Sequence, residues 1–320
     1  MSTVDPAGAK AICAIVCTHN RYDVLHDALA SLMEQTLSRS RYEVLVVDNS
    51  TDLAGRKSFW RRYRNRFNVS VEFAPTPGLS AARNLGVGCS ESSLVAFCDD
   101  DAVVSSGWLE ALVDVFQAEP GAGVAGGPVI PMWPGSAPPW LHAWLKGFFT
   151  VVDHGDRRRM LTGNEWLAGT NVAYRREALL KAGGFDEKLG RRSSLLLSNE
   201  EIALARRLAE LGYVSFYDPK ASVHHKVHAD RVNHAWLRRR VAWQVISDSL
   251  VDMPNALPEP DQCWRKISDY VLQMPPEMRN FRGLFLDLDD PVATQRQCEA
   301  ISAFMTLLMF DGKDPEARTT

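Results

Sequence analysis

The sequence lacks several features that would assign it to common protein classes. It has no run of about 18 apolar residues, which a membrane-spanning helix would need, and residues 1–10 lack the apolar core of a secretory signal. Its six cysteines form no CxxC pair, which argues against zinc ribbons and disulfide scaffolds. A formal net charge of -3 argues against binding nucleic acid through bulk positive charge. We therefore expect a cytoplasmic protein with no nucleic-acid partner.

The composition is that of a globular protein. Hydrophobic residues make up 46% and charged residues 23% of the 320 residues, close to the globular average. At roughly 100–200 residues per domain, this length predicts one large domain with a smaller appendage. The proline-rich segment 254–260 marks the boundary, so we predict a main domain over 10–252 and a C-terminal helical extension over 253–320.

The first half of the chain alternates short apolar runs with helical patterns. The runs lie at 11–17, 42–47, 69–73 and 94–98, and a basic helix is predicted at 53–67. Runs that are apolar throughout are typical of parallel strands covered on both faces by helices. The pattern predicts an α/β fold with a doubly wound, mostly parallel sheet. The second half is less regular, and 129–144, rich in proline and tryptophan, is expected to be a surface loop with exposed aromatics.

Three of the predicted strands end in polar clusters. These clusters are Thr18-His19-Asn20, Asp48-Asn49-Ser50 and Asp99-Asp100-Asp101. In doubly wound sheets, ligands bind beyond the carboxyl ends of the strands. We therefore expect the three clusters to line one crevice.

The three adjacent aspartates indicate a cation site. In extended backbone Asp99 and Asp101 point to the same side while Asp100 points away. Three carboxylates at the end of a buried strand are costly without a cation, and Mg²⁺ or Mn²⁺ prefers such oxygen ligands. The alternative is a solvated acidic turn.

A second acidic pair opens the predicted helix 199–211. Asn199 is a natural cap, and acids in a first turn suit the helix dipole, which is the structural alternative to catalysis. At about 100° per residue, Glu201 falls inside the apolar stripe of this helix and Glu200 on its edge. The stripe consists of Leu204, Ala205, Leu208 and Leu211. A buried carboxylate facing a cleft is a candidate general base.

Two other residue types could serve the crevice. His224 and His225 follow a short predicted strand, and either imidazole could bind a metal or be structural. Arg83, at the opening of a helix, could bind phosphate or ribose or could simply be solvated.

In combination and in this order, segments of the chain resemble the family 2 glycosyltransferases, inverting enzymes with the GT-A fold. The segments are CTHNR, VLVVDNSTD, PGLSAARNLG, VAFCDDDAVV, LAGTNVAYRREAL, GGFDE and NEEIALARRL. The resemblance implies a Rossmann-like GT-A sheet and a nucleotide-sugar donor, most often a UDP-sugar, bound beside Mn²⁺ or Mg²⁺.

The resemblance also assigns roles to individual residues. Thr18 and Asn20 would lie near the nucleotide, Asp48 would contact the base, and Arg83 would hold the nucleotide. The aspartates resemble the family's DXD motif, so that Asp99 and Asp100 would bind the donor and Asp99 and Asp101 the metal. His225 fits the family's metal-binding histidine better than His224. Glu200 and Glu201 stand where the family has a catalytic acid pair, with Glu201 as general base in place of the commoner aspartate.

The implied activity is transfer of a sugar to a hydroxyl of a glycan or lipid-linked saccharide in bacterial surface polysaccharide synthesis. The C-terminal helices are candidates for a homodimer interface or a peripheral contact with the inner face of the membrane. A nucleotidyltransferase is an alternative, but it would need a glycine-rich loop after the first strand, and CTHNRYDVL has no glycine. A non-catalytic nucleotide-sugar-binding protein is another, but it would be expected to lack the acids that this chain has.

Overall fold

The computed structural model describes residues 10–63, 69–75, 77–191, 195–251 and 258–311. The last residues of the predicted basic helix (64–67) and most of the proline-rich boundary (254–257) lie outside this part of the chain. The described residues form two compact units. The first takes its residues from Met1–Met132, Thr150–Leu195 and Glu200–Lys226, and the second from Trp133–Phe149, Leu196–Asn199 and Val227–Thr320.

The first unit is built on two β-sheets. Its strands are β1 (Ile12–Thr18), β2 (Tyr42–Asp48), β3 (Ser70–Phe73), β4 (Leu94–Asp99), β5 (Ala102–Val104), β6 (Ala122–Gly126), β7 (Val129–Met132), β8 (Arg159–Met160), β9 (Val172–Arg175), β10 (Val214–Tyr217) and β11 (Val223–Lys226). Its helices are α1 (Tyr22–Met33), α2 (Leu53–Tyr63), α3 (Leu79–Cys89), α4 (Trp108–Ala118), α5 (Arg176–Lys181) and α6 (Glu200–Glu210).

The large sheet has the strand order β3-β2-β1-β4-β9-β6-β10-β8. Strands β3, β2, β1 and β4 are parallel, and β9 runs antiparallel to both β4 and β6. Helices cover both faces of this sheet, so alternate residues of β1 pack into two different hydrophobic cores. Ile12 and Val16 pack with α1 and α4, whereas Ile15 packs with α3 and α6. The predicted α/β fold is confirmed.

The register of the central strands brings the polar strand ends together. Thr18 pairs with Asp48 across β1 and β2. Cys17 pairs with Asp99 across β1 and β4. The three polar clusters therefore follow neighbouring strands at one edge of the sheet.

A smaller sheet, in the order β5-β11-β7, continues from the aspartates. Strand β5 begins directly after Asp101, and Ala102 pairs with His225 of β11. The backbone N–H of Lys226 also donates to the carbonyl of Asp101 over 2.9 Å. This ladder places His225 beside the aspartates, although the two segments are far apart in sequence.

The second unit is helical, with α7 (His234–Leu250), α8 (Pro260–Leu272) and α9 (Pro291–Asp311). The predicted exposed aromatic loop is wrong in part. Val129–Met132 is strand β7 of the first unit, and Trp140 of the second unit is only 7% exposed. Its ring lies 4.4 Å from that of His234 at the start of α7. Trp144 is 50% exposed, as the sequence predicted.

Asn199 does not have the conformation expected of a helix cap. Its φ of 77° lies in the left-handed region, whereas a capping residue has extended backbone. Its side chain donates to Asp248 (2.8 Å) and accepts from Gln244 (2.9 Å), both on α7. Asparagine tolerates this backbone conformation better than most residues, and the two bonds hold its side chain against α7.

Two absences expected from the sequence concern cysteine and membrane spans. All six cysteines are free thiols. Among the described residues, no helix combines the length and the apolar character needed to cross a bilayer.

Candidate active site

Asp100, the middle aspartate, points into the protein. It is 4% exposed, and Thr18 Oγ1 donates to its Oδ2 over 2.7 Å. Its Oδ1 lies 3.0 Å from Nη1 of Arg21. Burial raises the pKa of Asp100 to about 7, against the opposing effect of Arg21. Asp100 therefore ties β1 to the end of β4, and both of its oxygens have protein partners.

Asp99, Asp101 and His225 form a second, more open group. One ligand atom from each of the three lies within 4.8 Å of the others. Asp101 Oδ1 is 3.3 Å from His225 Nε2, whereas Asp101 Oδ2 accepts from Nη2 of Arg21 over 2.6 Å. Asp99 has a side chain that is 33% exposed, so it is the aspartate that reaches solvent.

The donor set of this group fits a divalent cation. Two carboxylates and an imidazole suit Mn²⁺, and the oxygens alone suit Mg²⁺. His225 is 4% exposed, and its Nδ1 has no hydrogen-bond partner among the described residues. His224, by contrast, is exposed, so the structure associates His225 and not His224 with the aspartates.

Arg83 lies inside the first unit. Its side chain is 3% exposed, with Nη1 2.9 Å from Glu200 Oε1 and Nη2 3.5 Å from Asp99 Oδ1. It lies against the rings of Phe97 and Phe185. The guanidinium thus joins the aspartates to the glutamate pair, and a nucleotide contact by Arg83 stays a prediction.

The burial of Glu200 and Glu201 differs from the burial that the helical spacing predicted. Glu200 is 4% exposed and lines up with Leu204 and Leu208, which are fully buried, while Glu201 is partly exposed. The sequence had counted Ala205 and Leu211 in the stripe, but Ala205 is only partly buried and Leu211 is 40% exposed. The buried face is therefore centred near Leu204, with Glu200 inside it and Glu201 at its edge.

Glu201 nevertheless has an unusual carboxyl group. Its Oε1 accepts from the backbone N–H of Gly169 over 3.3 Å, and its Oε2 is buried with no hydrogen-bond partner in the described part of the chain. Burial, and then the charge of Glu200, raise the pKa of Glu201 to about 8. A carboxyl group that titrates near neutral pH is well matched to general-base catalysis.

Asp48 is fully buried. Tyr22 Oη and Trp60 Nε1 donate to its Oδ2 over 2.8 and 3.1 Å, and the Ser50 backbone N–H donates to its Oδ1 over 3.0 Å. The structure thus gives Asp48 a supporting position beneath the strand ends, and its contact with a base stays a prediction.

Asn20 connects two of the polar clusters. Its φ is 57°, and its backbone N–H donates to Ser50 Oγ over 2.8 Å. Its side-chain oxygen accepts from the backbone N–H groups of Thr51 and Asp52. Asn20 is exposed, so it lies at the surface of the crevice edge.

Three residues of the site carried no assigned role in the sequence. Arg21 bridges two aspartates. Gly169 lies against Arg83, since a Cβ there would be 2.6 Å from Nη2. Thr170 accepts from the backbone N–H of Asp99 over 3.3 Å. Only their positions inside the CTHNR and LAGTN segments could have drawn attention to them.

The sheet, its helices and the acids beyond its carboxyl edge define a GT-A glycosyltransferase fold. A mannosyltransferase from Pyrobaculum calidifontis, solved with GDP-Man and Mn²⁺, aligns with 98% of this chain and 79% of its own, with a TM-score of 0.55 and 20% identity. S. aureus TarS 1–349 in complex with UDP-GlcNAc aligns with 95% of this chain and 93% of its own, with a TM-score of 0.53 and 17% identity.

Sequence comparisons identify the family. Residues 13–183 match the family model described as Glycosyl transferase family 2, and the chain belongs to that family. It is 28% identical over 253 residues to the glucosyl-dolichyl phosphate glucuronosyltransferase of Haloferax volcanii, covering 76% of this chain and 77% of that protein. It is 29% identical over 230 residues to the succinoglycan biosynthesis protein ExoM of Rhizobium meliloti, covering 70% of each. The chain is therefore a glycosyltransferase enzyme, as the sequence predicted.

Proposed function

We propose that this chain is a metal-dependent inverting glycosyltransferase. It would move a sugar from a nucleotide-diphosphate donor, a UDP-sugar, to a hydroxyl of a glycan or lipid-linked saccharide in bacterial surface polysaccharide synthesis. The observation that carries the proposal is the grouping of Asp99, Asp101 and His225, with ligand atoms within 4.8 Å, in a family 2 glycosyltransferase fold.

The donor and acceptor classes are supported by similar proteins. Solved neighbours bind GDP-Man or UDP-GlcNAc. Relatives are named for a dolichyl-phosphate-linked sugar and for succinoglycan synthesis. A lipid-linked acceptor would bring the enzyme to the inner face of the membrane as a peripheral protein, and we propose that location.

Asp99, Asp101 and His225 would hold the divalent cation, Mn²⁺ or Mg²⁺. When bound, such an ion supplies Lewis-acid stabilisation of the diphosphate leaving group. Asp99, which is the most exposed of the three aspartates, is the one that a donor could also reach.

Glu201 would act as the general base. Its deprotonated carboxylate would take the proton of the acceptor hydroxyl as that oxygen bonds to the anomeric carbon. The bond from that carbon to the diphosphate oxygen breaks, and the nucleoside diphosphate leaves from the opposite face, which inverts the configuration. The Gly169 N–H orients the base, and the ion pair of Arg83 with Glu200 fixes the helix turn that carries it.

The test compares Glu201→Gln with Glu210→Gln, an exposed glutamate at the other end of α6. Release of nucleoside diphosphate in the presence of donor and acceptor should fall by at least about 100-fold in E201Q, while donor binding measured by calorimetry stays unchanged. E210Q should behave as wild type. Unchanged transfer by E201Q would exclude Glu201 as the base.

We propose in addition that the catalytic region spans 10–252 and that 253–320 is a helical extension. The family match at residues 13–183 lies inside the first range. In the extension, Cys263 of α8 packs with Ala303 and Leu307 of α9. The extension is the proposed site of homodimerisation.

A further inference from the structure

Arg21 contacts two of the three aspartates with different parts of its guanidinium. Nη1 lies 3.0 Å from Asp100 Oδ1, and Nη2 lies 2.6 Å from Asp101 Oδ2. The arginine side chain is 30% exposed, whereas those of Asp100 and Asp101 are 5% and 2% exposed. A planar guanidinium can satisfy two carboxylates at once in a fixed geometry, which an ammonium group cannot.

The two oxygens of Asp101 therefore have different environments. Oδ2 is bound by Arg21, and Oδ1 faces His225 Nε2 at 3.3 Å. Rotation of the carboxylate about its Cβ–Cγ bond would turn Oδ1 away from His225, and the bond from Arg21 to Oδ2 opposes that rotation. Arg21 thus fixes the direction in which Asp101 presents Oδ1 to the group that it forms with Asp99 and His225.

The charge of Arg21 is balanced by Asp100. A lone guanidinium this close to Asp101 would repel a divalent cation, but Asp100 lies 3.0 Å from Nη1. The other oxygen of Asp100, Oδ2, accepts from Thr18 Oγ1 over 2.7 Å, so both oxygens have protein partners. The middle aspartate thus has an arginine as its partner, and its contact with the donor stays a prediction.

We propose that the ion pair of Arg21 with Asp100 orients Asp101 for metal binding. Both are positioning residues, and neither touches the cation. The inference rests on the proposed function, because it takes Asp101 to be a metal ligand. Removal of partners that orient metal ligands typically lowers metal affinity about 10- to 100-fold.

The test measures Mn²⁺ binding to the full chain without donor or acceptor, by calorimetry and by the electron paramagnetic resonance signal of free Mn²⁺. Arg21→Gln should weaken Mn²⁺ binding about 10-fold or more, and Arg21→Lys should restore only part of the loss. Asp100→Asn should also weaken binding, and the double variant should lose less than the product of the two single losses.

Arg158→Gln is the matched control. Arg158 is 29% exposed and pairs with Asp218, a 2% exposed carboxylate, at 2.6 Å, so it reproduces the ion pair away from the aspartates. The Mn²⁺ affinity of the Arg158→Gln variant should equal that of wild type. If R21Q does not fold, D100N and R21K carry the same test.

The possible results separate this inference from the proposed function. Wild type that binds no Mn²⁺, or Asp101→Asn that binds it as wild type does, overturns the proposed metal site and the inference with it. Wild type that binds Mn²⁺ while R21Q and D100N bind it equally well overturns the inference alone. Tighter binding by R21Q would also overturn it, since it would make Arg21 a competitor of the metal.

Discussion

Replacement of Arg83 by glutamine should destabilise the protein strongly. The change removes the partner of Glu200, whose side chain is 6% exposed and lies 2.9 Å from the guanidinium. Breaking a buried ion pair leaves one charge without compensation and costs about 3–5 kcal/mol. At roughly 2–4 °C per kcal/mol, we expect Tm to fall by about 6–20 °C.

The measurement is thermal unfolding followed by circular dichroism. In the double variant R83Q/E200Q the uncompensated carboxylate is also gone, so Tm should recover part of the loss. The control is Arg159→Gln, which removes an arginine paired with Glu165 at the surface, and its Tm should change little.

Two results would refute this reasoning. One is a loss of Tm in R83Q no larger than in R159Q. The other is a double variant that is no more stable than R83Q alone, because the cost would then not come from Glu200. If R83Q kept its stability but lost donor affinity, Arg83 would be a nucleotide contact, as the resemblance implied.

Three further predictions concern the same region. Because a general base must be deprotonated and the pKa of Glu201 is raised to about 8, the transfer rate should rise about tenfold between pH 7 and pH 9; a flat profile would contradict this. The folded protein holds the proton of Glu201 more tightly than the unfolded chain, in which the pKa of this group is 4.5. Ionisation of Glu201 therefore lowers the free energy of unfolding as the pH rises from 4.5 through 8. E201Q should accordingly have a higher Tm than wild type above pH 8. Gly169→Ala places a Cβ 2.6 Å from Arg83 Nη2, which should cost about 1–3 kcal/mol in urea unfolding and lower transfer. Gly88→Ala adds a Cβ that, apart from its chain neighbours and the backbone of its own helix, has no atom within 4 Å, so it should leave transfer unchanged. Equal losses in the two variants would contradict the role given to the contact of Gly169 with Arg83.

Much of the sheet could be predicted because its signals are local. An apolar run such as 94–98 followed by three aspartates marks both a buried strand and its end. The alternation of side chains in extended backbone likewise anticipated that Asp99 and Asp101 would separate from Asp100. The short strands β5 and β6 were missed. Ala102–Val104 is only 3 residues long, and Ala122–Gly126 consists mostly of alanine and glycine, which are depleted in strands.

The partners of buried polar groups could not be predicted. Arg83 and Glu200 are 117 positions apart in the chain, and nothing local to either residue indicates the pair. Asp48 is similar, because its burial depends on Tyr22 and Trp60 from two different helices. The order of burial of Glu200 and Glu201 was misjudged because Ala205, which is only partly buried, moved the estimated helix face towards Glu201.

The ladder between β5 and β11 has a consequence for how such an enzyme could diversify. Asp101 and His225 are held at the same end of one antiparallel pairing, joined by the bond from the Lys226 N–H to the Asp101 carbonyl. The segment between these strands also carries Glu201 and strand β7, which pairs with β11. Exchange of a surface loop within that segment leaves the spacing of Asp101 and His225 unchanged, so the chain could acquire a new sugar or acceptor preference by loop replacement while its strands and α6 are kept.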